Sequence, residues 1–429
     1  MRWHCALLIV VLVASSMRAQ EQTSAGAAPV YNISLLTDSA PDFTDIQSYL
    51  RSITSQFDTP QEKAINIFRW SQRLRKQTSY PTEDGHEVLD PIFFFTSYGY
   101  TMCGIISGID NSLWLNMGWK AHYVQLGDHT VCETSWDDGN TWHMFDNSTS
   151  IYCFNDRNEI ASVREIERNP LFYLQNVPPA LGTNPVKDIS DHNGWRWGAD
   201  HPVENRRTLA NGVDSFKAPN EILEDHLATR WGRRYVINLR PGEHYTRYFK
   251  NLDTDNPDPR YYRPLHGKDV EGKHNKNIRA SGVWQYQVDF KDPAAQQQIF
   301  SASGVKWTPD GVRGPGSVVL KVSAANVVTS AKILLSGSGL KASVSRMAGT
   351  RWDPINLTNG NAQLVDEVAG VTQYLLKVEL DESGVLSRAQ IETITQINRT
   401  SLPPFRVGRI RSSCASANKP IHCCSRLAF

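Results

Sequence analysis

Asp128-His-Thr-Val-Cys-Glu-Thr-Ser-Trp136, Asp137-Asp-Gly-Asn140 and Thr141-Trp-His-Met-Phe-Asp146 form the stretch on which the fold turns. Two β-prone runs flank a cluster of turn formers, the pattern of two strands joined by a tight hairpin. A hairpin symmetric about Asp138 and Gly139 makes the numbers of paired residues sum to about 277, so His129 faces Ser148 and Asp146 faces Val131. Side chains alternate along strands, which puts His129 and Asp146 on one face as diagonal neighbours. A three-residue loop gives an even sum and opposite faces; the even loop is the expected one.

Upstream, Tyr98-Gly-Tyr-Thr-Met-Cys103-Gly104 precedes Ile105, Ile106, Ile109, Leu113 and Leu115, whose spacings predict a helix starting near Cys103. The positive end of a helix dipole and a nearby imidazolium both lower a thiol pKa from its usual value of about 8.5. The competing reading is a buried structural cysteine, a common fate for a free thiol. Cys103, His129 and Asp146 supply a nucleophile, a base and an orienter in chain order, with room between them for one helix, one strand and one hairpin.

The Gly-flanked Cys103 at a helix start, the strand Gly118-x-x-Ala121-x-Tyr123-Val124, the strand His129-x-x-x-Glu133 and the Trp142-x-x-x-Asp146 spacing together resemble the transglutaminase-like superfamily, a papain-related fold. The resemblance covers about residues 30–175. It implies Cys103 as nucleophile, His129 as general base and Asp146 as imidazole orienter, a catalytic triad acting on peptide or protein amide groups. The aromatic often found two residues after the family histidine is Val131 here, and the usual arginine of the preceding strand is His122.

Around this centre, Thr59-Pro-Gln-Glu62 is a capping box with Pro at the first helical position, followed by Ala64, Ile65, Phe68 and Trp70. Phe43, Ile46, Leu50, Ile53 and Phe57 form an earlier helical stripe after the turn residues Asp38 to Asp42. Ser162-Val-Arg-Glu-Ile-Glu-Arg-Asn169 predicts a short helix closing the first domain.

The chain starts with Met1 and the charged Arg2, followed by an apolar run from Ala6 to Ala14 and small residues, which predicts a secretory signal peptide cleaved after Ala19. Export, as a secreted or periplasmic protein, is therefore expected, and no later stretch is apolar enough to span a bilayer. The net charge of +1 becomes −1 when Arg2 and Arg18 leave, so no global field argues for nucleic acid. Of seven cysteines, Cys5 leaves with the signal, and an oxidising destination permits a Cys132–Cys153 pair without requiring one. No cofactor motif is present. Asp191, His192, Asp200 and His201 match no zinc spacing, so no metal is assigned.

Residues 176–281 read as an irregular connection followed by a β-rich intermediate region. In it, Trp195, Trp197, Asp200 and His201 are candidates for a cleft border, Arg233–Phe249 reads as two strands around Pro241-Gly242, and Asp253–Asp258 is a solvated acidic loop lacking the glycine a calcium loop needs. From 282 to 403 the apolar segments Val283–Phe290, Val318–Val322, Val327–Leu335, Ala342–Met347, Val371–Leu380 and Ala389–Ile397 predict a jelly-roll or immunoglobulin-like β-sandwich. Its segment Ser343–Trp352 is similar to sandwich modules of secreted carbohydrate-active proteins, which adds glycan contact to the expected partners. Residues 404–429 lose periodicity and read as an irregular basic tail carrying Cys414, Cys423 and Cys424.

The expectation is thus a multidomain chain: signal peptide 1–19, an α+β transglutaminase-like domain over 30–175, a β-rich region and a C-terminal β-sandwich. The expected activity is that of a cysteine hydrolase or acyltransferase working through a thioester. The alternative is a non-catalytic secreted protein that binds glycan or protein.

Overall fold

The computed structural model describes residues 29–37, 40–77, 80–83, 86–126, 129–148, 151–169, 221–223, 232–248, 278–401, 410–416 and 419–421. The expected signal peptide, the Trp195–His201 group and the segment read as an acidic loop, Asp253–Asp258, lie outside them.

Helix α1, Ile46–Thr54, starts where the Asp45 carboxylate accepts the Ser48 N–H at 2.7 Å. It buries Ile46, Tyr49, Leu50 and Ile53. Phe43 and Phe57 fall outside it, although Phe43 stays buried and stacks on Tyr49 at 5.5 Å. Helix α2, Pro60–Leu74, carries the capping box: Glu62 N–H donates to Thr59 Oγ1 at 3.2 Å and Thr59 N–H to Glu62 Oε2 at 3.1 Å. Thr59→Ala is expected to cost about 1 kcal/mol in chemical denaturation while Thr59→Ser costs little, since only the first removes the acceptor for a helix N–H.

Helix α3, Pro91–Phe93, is capped by Asp90 and runs into a π-helical turn, Phe94–Tyr98, that ends at Gly99 with φ 65°. After the short strand Tyr100–Thr101 comes α4, Cys103–Asn116, buried from Ile105 to Trp114. A helix buried nearly all round belongs at the centre of a domain. Trp114 packs on Phe145 at 5.1 Å and Phe68 on Phe145 at 5.2 Å, joining α4, α2 and the sheet. Each such buried side chain is worth roughly 1.5–3 kcal/mol in removed apolar surface. Helix α5, Val163–Arg168, has its own capping box between Ser162 and Glu165.

The sheet beside α4 is antiparallel, with Lys120–Leu126 between Glu221–Leu223 and His129–Ser135, and His143–Phe145 beyond. Cys132 faces Phe145, Glu133 faces Met144 and Thr134 faces His143, the register expected of the even hairpin. Asp138 and Gly139 both have positive φ, 64° and 91°, the backbone that joins strands with the right twist. Glu221–Leu223 lies in the segment read as a connection. Its place at the sheet edge is set by main-chain pairing to Tyr123–Gln125, which leaves no local pattern.

A further four-stranded sheet corrects the reading of the tail as wholly irregular. Val30–Thr37 pairs with Ile237–Leu239 on one side and Ile410–Ser416 on the other, and Lys419–Ile421 follows. A strand recruited by backbone hydrogen bonds needs no apolar alternation of its own. The strands Ile237–Leu239 and Glu243–Arg247 do flank Pro241-Gly242 but enter different sheets, the second pairing with Ile278–Asp289.

The C-terminal region is one ten-stranded curled sheet around its own core, which includes Trp284, Tyr286, Leu320, Val322, Ile333, Leu376 and Ile391. Segments that read as separate strands are continuous: Val327–Ser345 and Gln373–Asn398 pair along their length, with register shifts between Ser336 and Gly337 and between Ser338 and Leu340. Such irregularities let long strands bend, so one sheet folds over its own apolar face.

This sheet is fastened to the helical unit by buried amides. Asn398 Nδ2 donates to the carbonyls of Leu74 and Phe95, both at 2.7 Å, Asn326 Nδ2 to Thr96 O at 3.2 Å and Gln396 Nε2 to Ser97 O at 3.2 Å. Three successive carbonyls of the π-helical turn thereby find donors, as the last turn of a helix requires. The turn leads directly to the segment that ends in Cys103.

Candidate active site

Cys103 is the first residue of α4. Its N-cap, Met102, is extended and provides no side-chain cap, so the first N–H groups and the positive end of the helix are directed at the sulfur's surroundings. Access is open: Met102 is 41% exposed, and a Cβ added at Gly104 would meet no atom within 4 Å.

His129 starts the strand His129–Ser135, opposite Leu126, and Asp146 follows the strand His143–Phe145. Their side chains meet, Nε2 to Oδ2, at 2.9 Å. The same imidazole interacts with Cys103, lowering the thiol pKa while the sulfur raises the imidazole's. With Nε2 turned to the carboxylate, Nδ1 is the ring nitrogen left for the thiol. The three residues singled out in the sequence therefore converge. Local secondary structure sets each position: a helix start, a strand start and the end of a hairpin.

The electrostatics favour a charged pair. Burial opposes ionisation of Cys103, but the hydrogen bond from His129, the N–H of Thr130 and the imidazole's charge outweigh it and hold the thiol below its ordinary pKa. Burial likewise opposes charging His129, yet the Asp146 carboxylate and the Cys103 sulfur push its pKa up to about 10. Between these two ionisations the stable form is thiolate beside imidazolium, a nucleophile with a proton donor at hand.

The other cysteines of this unit sit elsewhere. Cys132 and Cys153 are buried thiols, not bonded to each other. Cys132 points toward the core of α2 and α4, with Sγ donating to Phe145 O at 3.3 Å, while Cys153 packs with Val131 and Met144 on the opposite face. Burial, with the Asp146 charge, pushes the Cys153 thiol up to about 12. Of the two departures from the family pattern, Val131 is core, and His122 is buried in contact with Glu133 at 2.9 Å.

Beneath the site lies a polar network that sequence reasoning did not find. Asp110 of α4 accepts from Ser71 Oγ at 2.5 Å and from Asn147 Nδ2 at 2.7 Å, and Arg75 Nε donates to Asn147 Oδ1 at 2.9 Å. One signal was available: Asp110 is a carboxylic acid set among the apolar Ile105, Ile106, Ile109 and Leu113, and a carboxyl buried there needs partners. The identity of those partners depends on tertiary contacts.

In the C-terminal sheet, a cavity of about 250 Å³ is lined by Arg240, Glu243, Tyr245, Trp284 and Lys321, among others. Arg240 is paired with Glu243 and stacked over Tyr286 at 4.4 Å, and Trp284 is buried. Among the described residues, no group of three or more His, Cys, Asp or Glu side chains could hold a metal, and no helix is long and apolar enough to cross a membrane. No protein-family model matches the chain, and no curated protein matches it.

Proposed function

We propose that the protein is an exported transglutaminase-like, papain-related cysteine enzyme that acts on peptide or carboxamide bonds through a thioester, with hydrolysis slightly favoured over amine transfer. The observation that supports the reading is the 2.9 Å contact of His129 with Asp146, with the same imidazole electrostatically coupled to Cys103 at the start of α4. Export rests on the leader pattern of the first 19 residues.

In this mechanism the Cys103 thiolate attacks the carbonyl carbon, and the Cys103 N–H at the helix start donates to the developing oxyanion. Imidazolium His129 gives its proton to the departing nitrogen as the C–N bond breaks, leaving the thioester. Water or an amine then attacks, His129 takes its proton, and the C–S bond breaks to restore the thiolate. Asp146 holds the ring and stabilises its charged form throughout.

Mass spectrometry of a peptide and amine mixture incubated with wild type and Cys103→Ala tests the proposal. Wild type is expected to yield cleaved, deamidated or amine-coupled peptide and Cys103→Ala none; equal product from both, or none from wild type across varied peptides, overturns it. The rival, a non-catalytic secreted protein holding glycan or protein, draws on the cavity beside Arg240 and Lys321. It predicts slow, similar labelling of Cys103 and Cys132 by a thiol-directed electrophile.

A further inference from the structure

We infer that Arg75 is a positioning residue for the Cys103 nucleophile, bracing the strand that leads into Cys103 against the loop that carries Asp146. The inference rests on the thioester reading above. Arg75 is the C-cap of α2 and is 6% exposed. Its Nε donates to Asn147 Oδ1 at 2.9 Å, a second nitrogen to Asn147 O, and a third to Thr101 O at 3.4 Å. Asn147 adjoins Asp146, and Thr101 lies two residues before Cys103. The backbone repeats the connection: Lys76–Gln77, directly after Arg75, pairs in parallel with Tyr100–Thr101.

The brace is itself anchored. Asn147 Nδ2 donates to Ser71 Oγ at 2.9 Å and to Asp110 Oδ2 at 2.7 Å, so α2 and α4 hold the amide that Arg75 grips. A planar fork with several fixed donors suits this geometry and an ammonium does not. Burying a cation costs several kcal/mol, so retaining one beneath a reactive thiol calls for a return in specificity.

Charge strengthens the case. The groups whose charges bear on the guanidinium are Asp110 from α4, Asp146 from the loop and Cys103 itself; His129 acts on Cys103 from the start of the strand His129–Ser135. Burial pushes the Asp110 carboxyl up to about 7 against its bonds to Ser71 and Asn147 and the pull of Arg75. A carboxyl raised in this way gives up its charge more readily than the guanidinium does, so the Arg75 charge is not wholly offset and favours the Cys103 thiolate.

The test is the pH dependence of Cys103 alkylation by iodoacetamide, read by peptide mapping, together with peptide turnover and an unfolding midpoint. Wild type, Arg75→Lys and the double variant Arg75→Met with Asp110→Asn, which removes both buried charges together, are compared. The double variant is expected to move the thiol inflection up by about one unit, slowing alkylation below it roughly tenfold. Arg75→Lys is expected to keep the low inflection but lose turnover, because it retains the charge without the fork. Loss of stability alone moves no inflection. A double variant with wild-type inflection overturns the inference. If that variant does not fold, Arg75→Lys decides: wild-type turnover in it overturns the inference, and lost turnover at a retained inflection upholds it. A wild-type Cys103 with no low inflection is a different failure, that of the thioester reading.

Discussion

His129→Ala is expected to reduce peptide turnover by about 10³-fold and to raise the pH at which Cys103 alkylates, because one substitution removes the proton donor, the proton acceptor and the thiolate's counter-charge. The signs follow from the two ionisations. Cys103 has a lowered pKa, so the thiolate appears as pH rises through a value below the ordinary thiol range. His129 has a raised pKa of about 10, so its charge and its proton are lost as pH rises through that value. Wild-type kcat/KM is therefore expected to climb on the acid side with Cys103 and to fall on the alkaline side near pH 10 with His129. Asp146→Asn removes the carboxylate that raises the imidazole pKa, and the alkaline limb is expected to move to lower pH. An unchanged alkylation inflection in His129→Ala would sink the ion-pair assignment.

The second large effect is structural and lies at the seam between the helical unit and the curled sheet. Gly99 has φ 65°, and a Cβ there would collide with the side-chain amide of Asn398. Gly99→Ala thus combines a left-handed backbone, costing about 1–2 kcal/mol for a non-glycine residue, with a collision against a buried amide. Asn398→Ala takes away donors from the Leu74 and Phe95 carbonyls, leaving Leu74 only its 3.3 Å bond from Thr400, at a cost of about 2 kcal/mol. It also empties the space that the new Cβ needs. The double variant is therefore expected to be more stable than the two single losses sum to, by about 1 kcal/mol. Chemical denaturation of wild type, both single variants and the double variant measures this, and strict additivity would show that Gly99 and Asn398 do not pack as the structure places them.

Much of the site was readable because its determinants are local. The Asp138-Gly139 turn sets the odd pairing sum, alternation then puts His129 and Asp146 on one face, and the glycine-flanked start of an apolar run places Cys103 at a helix end. Thr59 and Ser162 declare their capping boxes within four residues. The C-terminal strand segments were legible as apolar runs, but their fusion into two long bent strands was not, since Ser336-Gly337 reads equally well as a turn. The tail strand Ile410–Ser416 was invisible for a related reason: its partner, Val30–Thr37, lies at the other end of the chain.

The sequence by itself determined the order of thiol, imidazole and carboxylate, the elements that carry them and the shared face of His129 and Asp146, all through hydrogen-bond patterns only a few residues long. Tertiary structure alone decided what lies beneath and behind them. Arg75 meets Asn147 across 72 residues, and Asn398 meets Leu74 across 324. A buried polar group must find a partner, but its own sequence neighbourhood does not say which one, because the partner is chosen by the packing of the whole chain.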